Sequence, residues 1–140
     1  MAAEHNLAAA RRIMDEAWNG GRLEVIDELC TPDCVDHDLS SHRDIEGTES
    51  SKQRIERWRA AVPDMRVTVE DAFAGGDEVV VRWTARGTHA GELVGVAPTG
   101  KVLEVSGMHI YRFDSDGRIV EIWDHWDYLG FMQQLGKVPA

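Results

Sequence analysis

Apolar positions along this chain change period partway: the N-terminal part repeats every three to four residues, as helices do, and the C-terminal part alternates, as strands do. Residues 5–19 place Leu7, Ala10, Met14, Ala17 and Trp18 on one stripe, and Gly20-Gly21 ends the run. A shorter helix over 23–29 buries Val25, Ile26 and Leu29 before Thr31-Pro32-Asp33 breaks it. Residues 34–39 then alternate, with Val35, His37 and Leu39 on one side and Asp36 and Asp38 on the other. The acidic side is expected to meet water, which turns His37 inward. A third helix over 48–62 buries Ile55, Trp58, Ala61 and Val62 and stops at Pro63-Asp64.

From residue 65 the pattern is that of strands. Runs over 65–73 and 78–88 flank a Gly75-Gly76-Asp77 turn, and Val79, Val81, Trp83 and Ala85 share the inner face. Residues 91–100 form a connection. The run 101–113 sets Glu104, Ser106, Met108, Ile110 and Arg112 against Leu103, Val105, Gly107, His109 and Tyr111, so the charges mark the outer face and His109 points inward. Asp114-Ser115-Asp116-Gly117 contains an Asp-Gly hairpin signal, making the next strand an antiparallel neighbour. There Val120, Ile122, Asp124 and Trp126 turn inward, and Ile119, Glu121 and Trp123 turn outward. A final helix covers 128–135, with Asp127 suited to its N-cap. The order predicts one α+β domain over 1–140, a curved, mostly antiparallel sheet covered by N-terminal helices. Asp124 and His109 fall on its concave surface.

Charge narrows the partners. Twenty-five acidic and fifteen basic residues give a net charge of -10, with no basic cluster, which excludes nucleic acid and an anionic membrane surface as partners. No basic-then-apolar leader and no membrane-length apolar run are present, so a soluble, cytoplasmic protein is expected. Cys30 and Cys34 are too few for a disulfide framework and are expected to be free thiols. Val80, Met108, Ile110 and Trp123 on the outer sheet face predict a homodimer or homotetramer.

The stretch VEDAFAGGDEVVVRWTARGTHAGELVGVAPTGKVLEVSGMHIYRF, followed by GRIVEIWDHWDYLGFMQQLG, resembles the SnoaL-like polyketide cyclases of the nuclear transport factor 2-like superfamily. PDMRV and VDHD extend the likeness over nearly the whole chain. The resemblance implies a cone-shaped barrel whose open end admits a small hydrophobic molecule. It also implies an aspartate on the last strand as acid/base with a histidine on the neighbouring strand, here Asp124 and His109. The same superfamily hosts hydroxylases, epoxide hydrolases and proteins without activity, so a related enzyme or a non-catalytic binding or assembly module are the alternatives.

The chemistry expected of such a site is intramolecular aldol-type ring closure of an aromatic polyketide, which needs one positioned base, one donor and a dry cavity. Burial is expected to raise the pKa of Asp124. His37, Trp58, Trp83, Tyr111, Ile122 and Trp126 are the candidate substrate contacts. His42 and His89 lie in loops and are expected at the surface, and His125 faces away from Asp124. His37, His109 and Asp124 could form a facial metal set, yet no local ligand spacing supports one, so no metal and no cofactor are expected. The inner faces show no Asp-Arg-Asp arrangement of the kind that would hold a hydrolytic water.

Overall fold

The first apolar stripe forms a helix in two geometries. The computed structural model, which describes residues 2–140, has α1 (Ala2–Arg12) running into a π-helical segment, Ile13–Asn19, that buries Ile13, Met14 and Ala17. Helix α2 (Glu24–Leu29) feeds β1 (Cys30–Asp38), followed by β2 (Arg43–Glu46) and α3 (Gly47–Ala61). Strands β3 (Arg66–Gly75), β4 (Glu78–Thr88), β5 (Val102–Phe113) and β6 (Ile119–Trp126) follow, and α4 (Tyr128–Gln134) closes the chain, N-capped by Asp127, whose side chain accepts from Gly130 N–H.

The sheet has the order β2-β1-β6-β5-β4-β3. Among the described residues only β1 and β6 pair in parallel, so the sheet is mixed, and it remains open at β2 and β3. Helices cover one face: α3 packs on β1, and α1 with its π-helical extension packs on β3. One apolar core joins these N-terminal helices to Val79, Val81, Tyr111 and Phe113. A second gathers Ala61, Leu103, Val105, Phe131 and Leu135 towards the C-terminal helix.

Three expectations of facing are corrected. In β1 the acids turn in: Asp36 is 3% exposed and Asp38 5%, whereas Leu39 is 48% exposed. The pairing with β6 shifts register between Cys30 and Val35, and the buried Cys34 shares its face with the two acids. His37 consequently turns outward, where Nδ1 lies 2.9 Å from Asp44 Oδ1 and Nε2 lies 2.6 Å from Glu121 Oε2. In β6 a register shift opposite Arg112 and Phe113 brings Ile119 to full burial in place of Val120. His89, expected at the surface, is fully buried because the 91–100 connection folds back on it. Gly100 N–H donates to its carbonyl, and its Nδ1 lies 2.9 Å from Thr99 Oγ1.

Inward acids need a cation, and α3 supplies one. Arg54 Nη2 donates to Asp36 Oδ2 at 2.6 Å and Nη1 to Asp124 Oδ2 at 3.2 Å, tying the helix to β1 and β6. Asp38 Oδ2 lies 4.0 Å from Nη1. Burial works against the Arg54 charge, but the three carboxylates outweigh it and raise its pKa. The expected rise at Asp124 is reversed: burial pushes its pKa up, yet His109 and Arg54 more than offset that and hold it down at about 2. Asp36 keeps the upward shift, with burial the leading cause.

These directions give the ion cluster a pH signature. Asp124, depressed in the fold, contributes stability that is complete above its unfolded value of about 3.9 and is lost as pH falls towards 2. Asp36, raised in the fold, contributes with the opposite sign, so stability is regained as pH falls through its folded pKa. Arg54→Gln should therefore lower stability by about 3–5 kcal/mol at pH 7, and by less at pH 5, where Asp36 and His109 take up protons more readily. Urea denaturation at both pH values checks this; a loss at pH 5 equal to or above that at pH 7 would contradict it.

Candidate active site

Between the sheet and the covering helices lies a cavity of about 610 Å³. Its polar end is built by three elements. β6 contributes Asp124, β5 contributes His109 and α3 contributes Arg54, each lining the cavity. Asp124 and His109 are directly paired across the β5–β6 ladder, which brings His109 Nε2 to 3.2 Å from Asp124 Oδ2. Oδ2 thus faces both Arg54 and His109, whereas Asp124 Oδ1, like Asp36 Oδ1, is buried without a hydrogen-bond partner among the described residues. An unpaired carboxylate oxygen at this depth is costly, and sites of chemistry are where such atoms collect.

The surrounding groups orient this pair. Trp83 Nε1–H donates to His109 Nδ1 at 2.7 Å, and the Tyr111 ring stacks on the imidazole at 5.6 Å and 10°. Burial lowers the His109 pKa, but Asp124 more than compensates and the net direction is upward. Asp38 is held separately: its Oδ1 accepts from the backbone N–H of Ser40 and Ser41 and from Trp126 Nε1, each at 3.1 Å.

The rest of the cavity is aromatic and apolar. Trp58, Trp83 and Trp126 line it with Trp18, Met14 and Phe131. Trp58 meets Trp126 edge-on at 5.8 Å and 83°. Of the expected substrate contacts, these three tryptophans reach the cavity and three residues do not. Tyr111 and Ile122 face inward but lie in the core beneath the cavity floor. His37 is on the opposite side of the sheet, held between Asp44 and Glu121, so no facial set with His109 and Asp124 forms.

The sequence reading missed Arg54, Asp36 and Asp38. Arg54 lies four residues before Trp58 and one before Ile55, on the helical stripe that was expected to be buried, and that spacing is the signal for it. Cys34 is the signal for the two acids, because it shares their parity. Together Asp36, Arg54 and Asp124 make an Asp-Arg-Asp cluster that the inner faces alone did not reveal. Asp36, His109 and Asp124 also offer ligand-type atoms within 4.8 Å of one another, but Arg54 already sits on both carboxylates, so a metal ion there would have to displace it.

This arrangement can accept a proton at a carboxylate that an imidazole and a guanidinium hold in place, and exclude water around a flat apolar molecule. The sequence profile of the SnoaL-like polyketide cyclases matches residues 8–135. Aklanonic acid methyl ester cyclase AcmA of Streptomyces galilaeus is 29% identical over 133 residues, covering 94% of this chain and 90% of its own. A solved structure of a candidate SnoaL-like polyketide cyclase from Jannaschia sp. CCS1 aligns with a TM-score of 0.88 at 27% identity, over 98% of this chain and 95% of that one. The candidate hydroxylase AclR from Streptomyces galilaeus aligns with a TM-score of 0.85 at 30% identity, over 99% of this chain and 85% of that one. The chain therefore belongs to the SnoaL-like polyketide cyclase family.

Proposed function

We propose that this protein closes a ring in an aromatic polyketide intermediate by intramolecular aldol addition, with Asp124 as the acid/base. The observation that carries the reading is a carboxylate at the polar end of a tryptophan-walled cavity whose Oδ2 is held by both Arg54 and His109. Asp124 takes a proton from a carbon flanked by carbonyls, and the resulting enolate carbon attacks a second carbonyl of the same molecule. The new alkoxide receives the proton back, so substrate and product are isomers. His109 donates from Nε2 to Asp124 Oδ2, and together with Arg54 it keeps the carboxylate ionised and in place.

A cavity of about 610 Å³ falls within the range of small-molecule sites and suits a flat, multi-ring ligand stacked among aromatic side chains. The relative AcmA, named for cyclising aklanonic acid methyl ester, supports the substrate class. A second reading, oxygen insertion or hydration, draws on the likeness to AclR and on the Asp36-Arg54-Asp124 cluster, which could hold a water.

Asp124→Asn keeps the shape of the side chain and removes its basicity. Turnover of an uncyclised aromatic polyketide should fall about 10²- to 10⁴-fold while substrate binding changes little. Mass analysis of the wild-type product separates the readings: unchanged mass supports ring closure, a gain of one oxygen supports hydroxylation and a gain of one water supports hydrolysis. Equal turnover by wild type and Asp124→Asn would remove Asp124 from the chemistry.

The partner reading is a second copy of this chain on the outer sheet face, where Met108 is 53% exposed beside half-buried Val80, Ile110 and Trp123. Light scattering should return a dimeric or tetrameric mass, and a monomeric mass at working concentration would contradict it.

A further inference from the structure

We infer that Trp83 is a positioning residue that holds His109 as the neutral imidazole protonated at Nε2, and that Gly107 makes this possible by leaving space for the indole. Trp83 was expected only as a wall of the cavity. Its Nε1–H lies 2.7 Å from His109 Nδ1, and an indole nitrogen can only donate, so Nδ1 must be the unprotonated nitrogen. The proton of a neutral imidazole is then on Nε2, which lies 3.2 Å from Asp124 Oδ2. Protonating His109 fully would set one N–H against another at Nδ1, so the indole opposes the imidazolium form.

Gly107 is directly opposite Trp83 in the β4–β5 ladder, and His109 is the next residue on the same face of β5. A Cβ at Gly107 would fall 2.7 Å from Trp83 Cζ2, 2.7 Å from Trp126 Cβ and 2.8 Å from the His125 carbonyl oxygen. The missing side chain leaves a slot over Gly107 through which the indole reaches His109 two residues along β5, a close approach of the kind that a glycine in a strand interior marks. Tyr111, stacked on the other side, fixes the plane of the ring.

The groups around His109 come from five elements: Trp83 on β4, Tyr111 on β5, Asp124 on β6, Arg54 on α3 and Asp36 on β1. Asp124 and Asp36 favour the imidazolium and outweigh burial and Arg54, which disfavour it, so the N–H that Trp83 presents to Nδ1 is what opposes full protonation. Trp83 is the neighbour that distinguishes the two ring nitrogens. In the proposed ring closure this makes His109 a donor to Asp124 alone and leaves proton abstraction to that carboxylate. That consequence for turnover rests on the proposed function, while the tautomer rests on geometry alone.

The test is the long-range ¹H–¹⁵N spectrum of protein labelled at histidine, with the His109 signals assigned by their loss in His109→Gln. Wild type should show an unprotonated acceptor at Nδ1 and a protonated Nε2. Trp83→Phe should lose this single-tautomer signature, with His109 protonation and the acidic limb of the kcat pH profile both moving to higher pH. Gly107→Ala, which displaces the indole but keeps it, should move both the same way. A protonated Nδ1 in wild type, or an unchanged spectrum in either folded variant, would overturn the inference, and the wild-type spectrum decides even if neither variant folds. A locked tautomer alongside full turnover by Asp124→Asn would leave the lock standing and remove the ring-closure reading. Mixed tautomers alongside Asp124-dependent turnover would do the reverse.

Discussion

The guanidinium of Arg54 is the constraint on which this architecture turns. It reaches from α3 to carboxylates on β1 and β6, the two strands that pair in parallel, and so joins helix layer and sheet at the polar end of the cavity. Apolar side chains of similar volume would stabilise such a position as well or better, because buried ions give up their hydration. The ions are therefore better explained by what they do to Asp124. Without a cation, burial would leave this carboxyl protonated and unable to accept a proton; with Arg54 and His109 beside it, it is ionised despite being almost completely buried.

The rest of the site follows from how sheet and helices divide the work. The β5–β6 hairpin fixes the spacing of His109 and Asp124 by direct cross-strand pairing, which is the most rigid placement a sheet offers. The helices and the C-terminal segment provide Trp18, Trp58 and Phe131, and these make the cavity apolar and flat-walled. Chemistry is thus fixed by backbone pairing, and shape by side chains that can vary without disturbing it. Such a partition suits a family in which similar frames carry names as different as cyclase and hydroxylase.

Much of this was legible in the sequence where a turn fixed the register. Asp114 to Gly117 sets the hairpin, so the inward facing of His109 and Asp124 could be read directly, and the overall α+β order followed from the change of period. β1 was misread because acids were taken to mark the outer face, a rule that fails when a cation from another element covers them. The bulge that turns Ile119 inward has no signal in a strict alternation. Parity also cannot separate wall from floor: His109 and Tyr111 are two residues apart on one face, yet one lines the cavity and the other lies beneath it. His89 looked exposed because its loop reads as polar, and only the return of residues 99–101 onto it creates its burial.

The central claim is that Asp124 abstracts a proton from carbon. It is tested most directly with a 1,3-dicarbonyl aromatic that can enolise but has no second carbonyl positioned for ring closure, incubated in D₂O and followed by NMR. The account predicts that wild type exchanges the methylene protons for deuterium well above the uncatalysed rate and that Asp124→Asn does not. Exchange at the same rate by both proteins, or by neither, would contradict it.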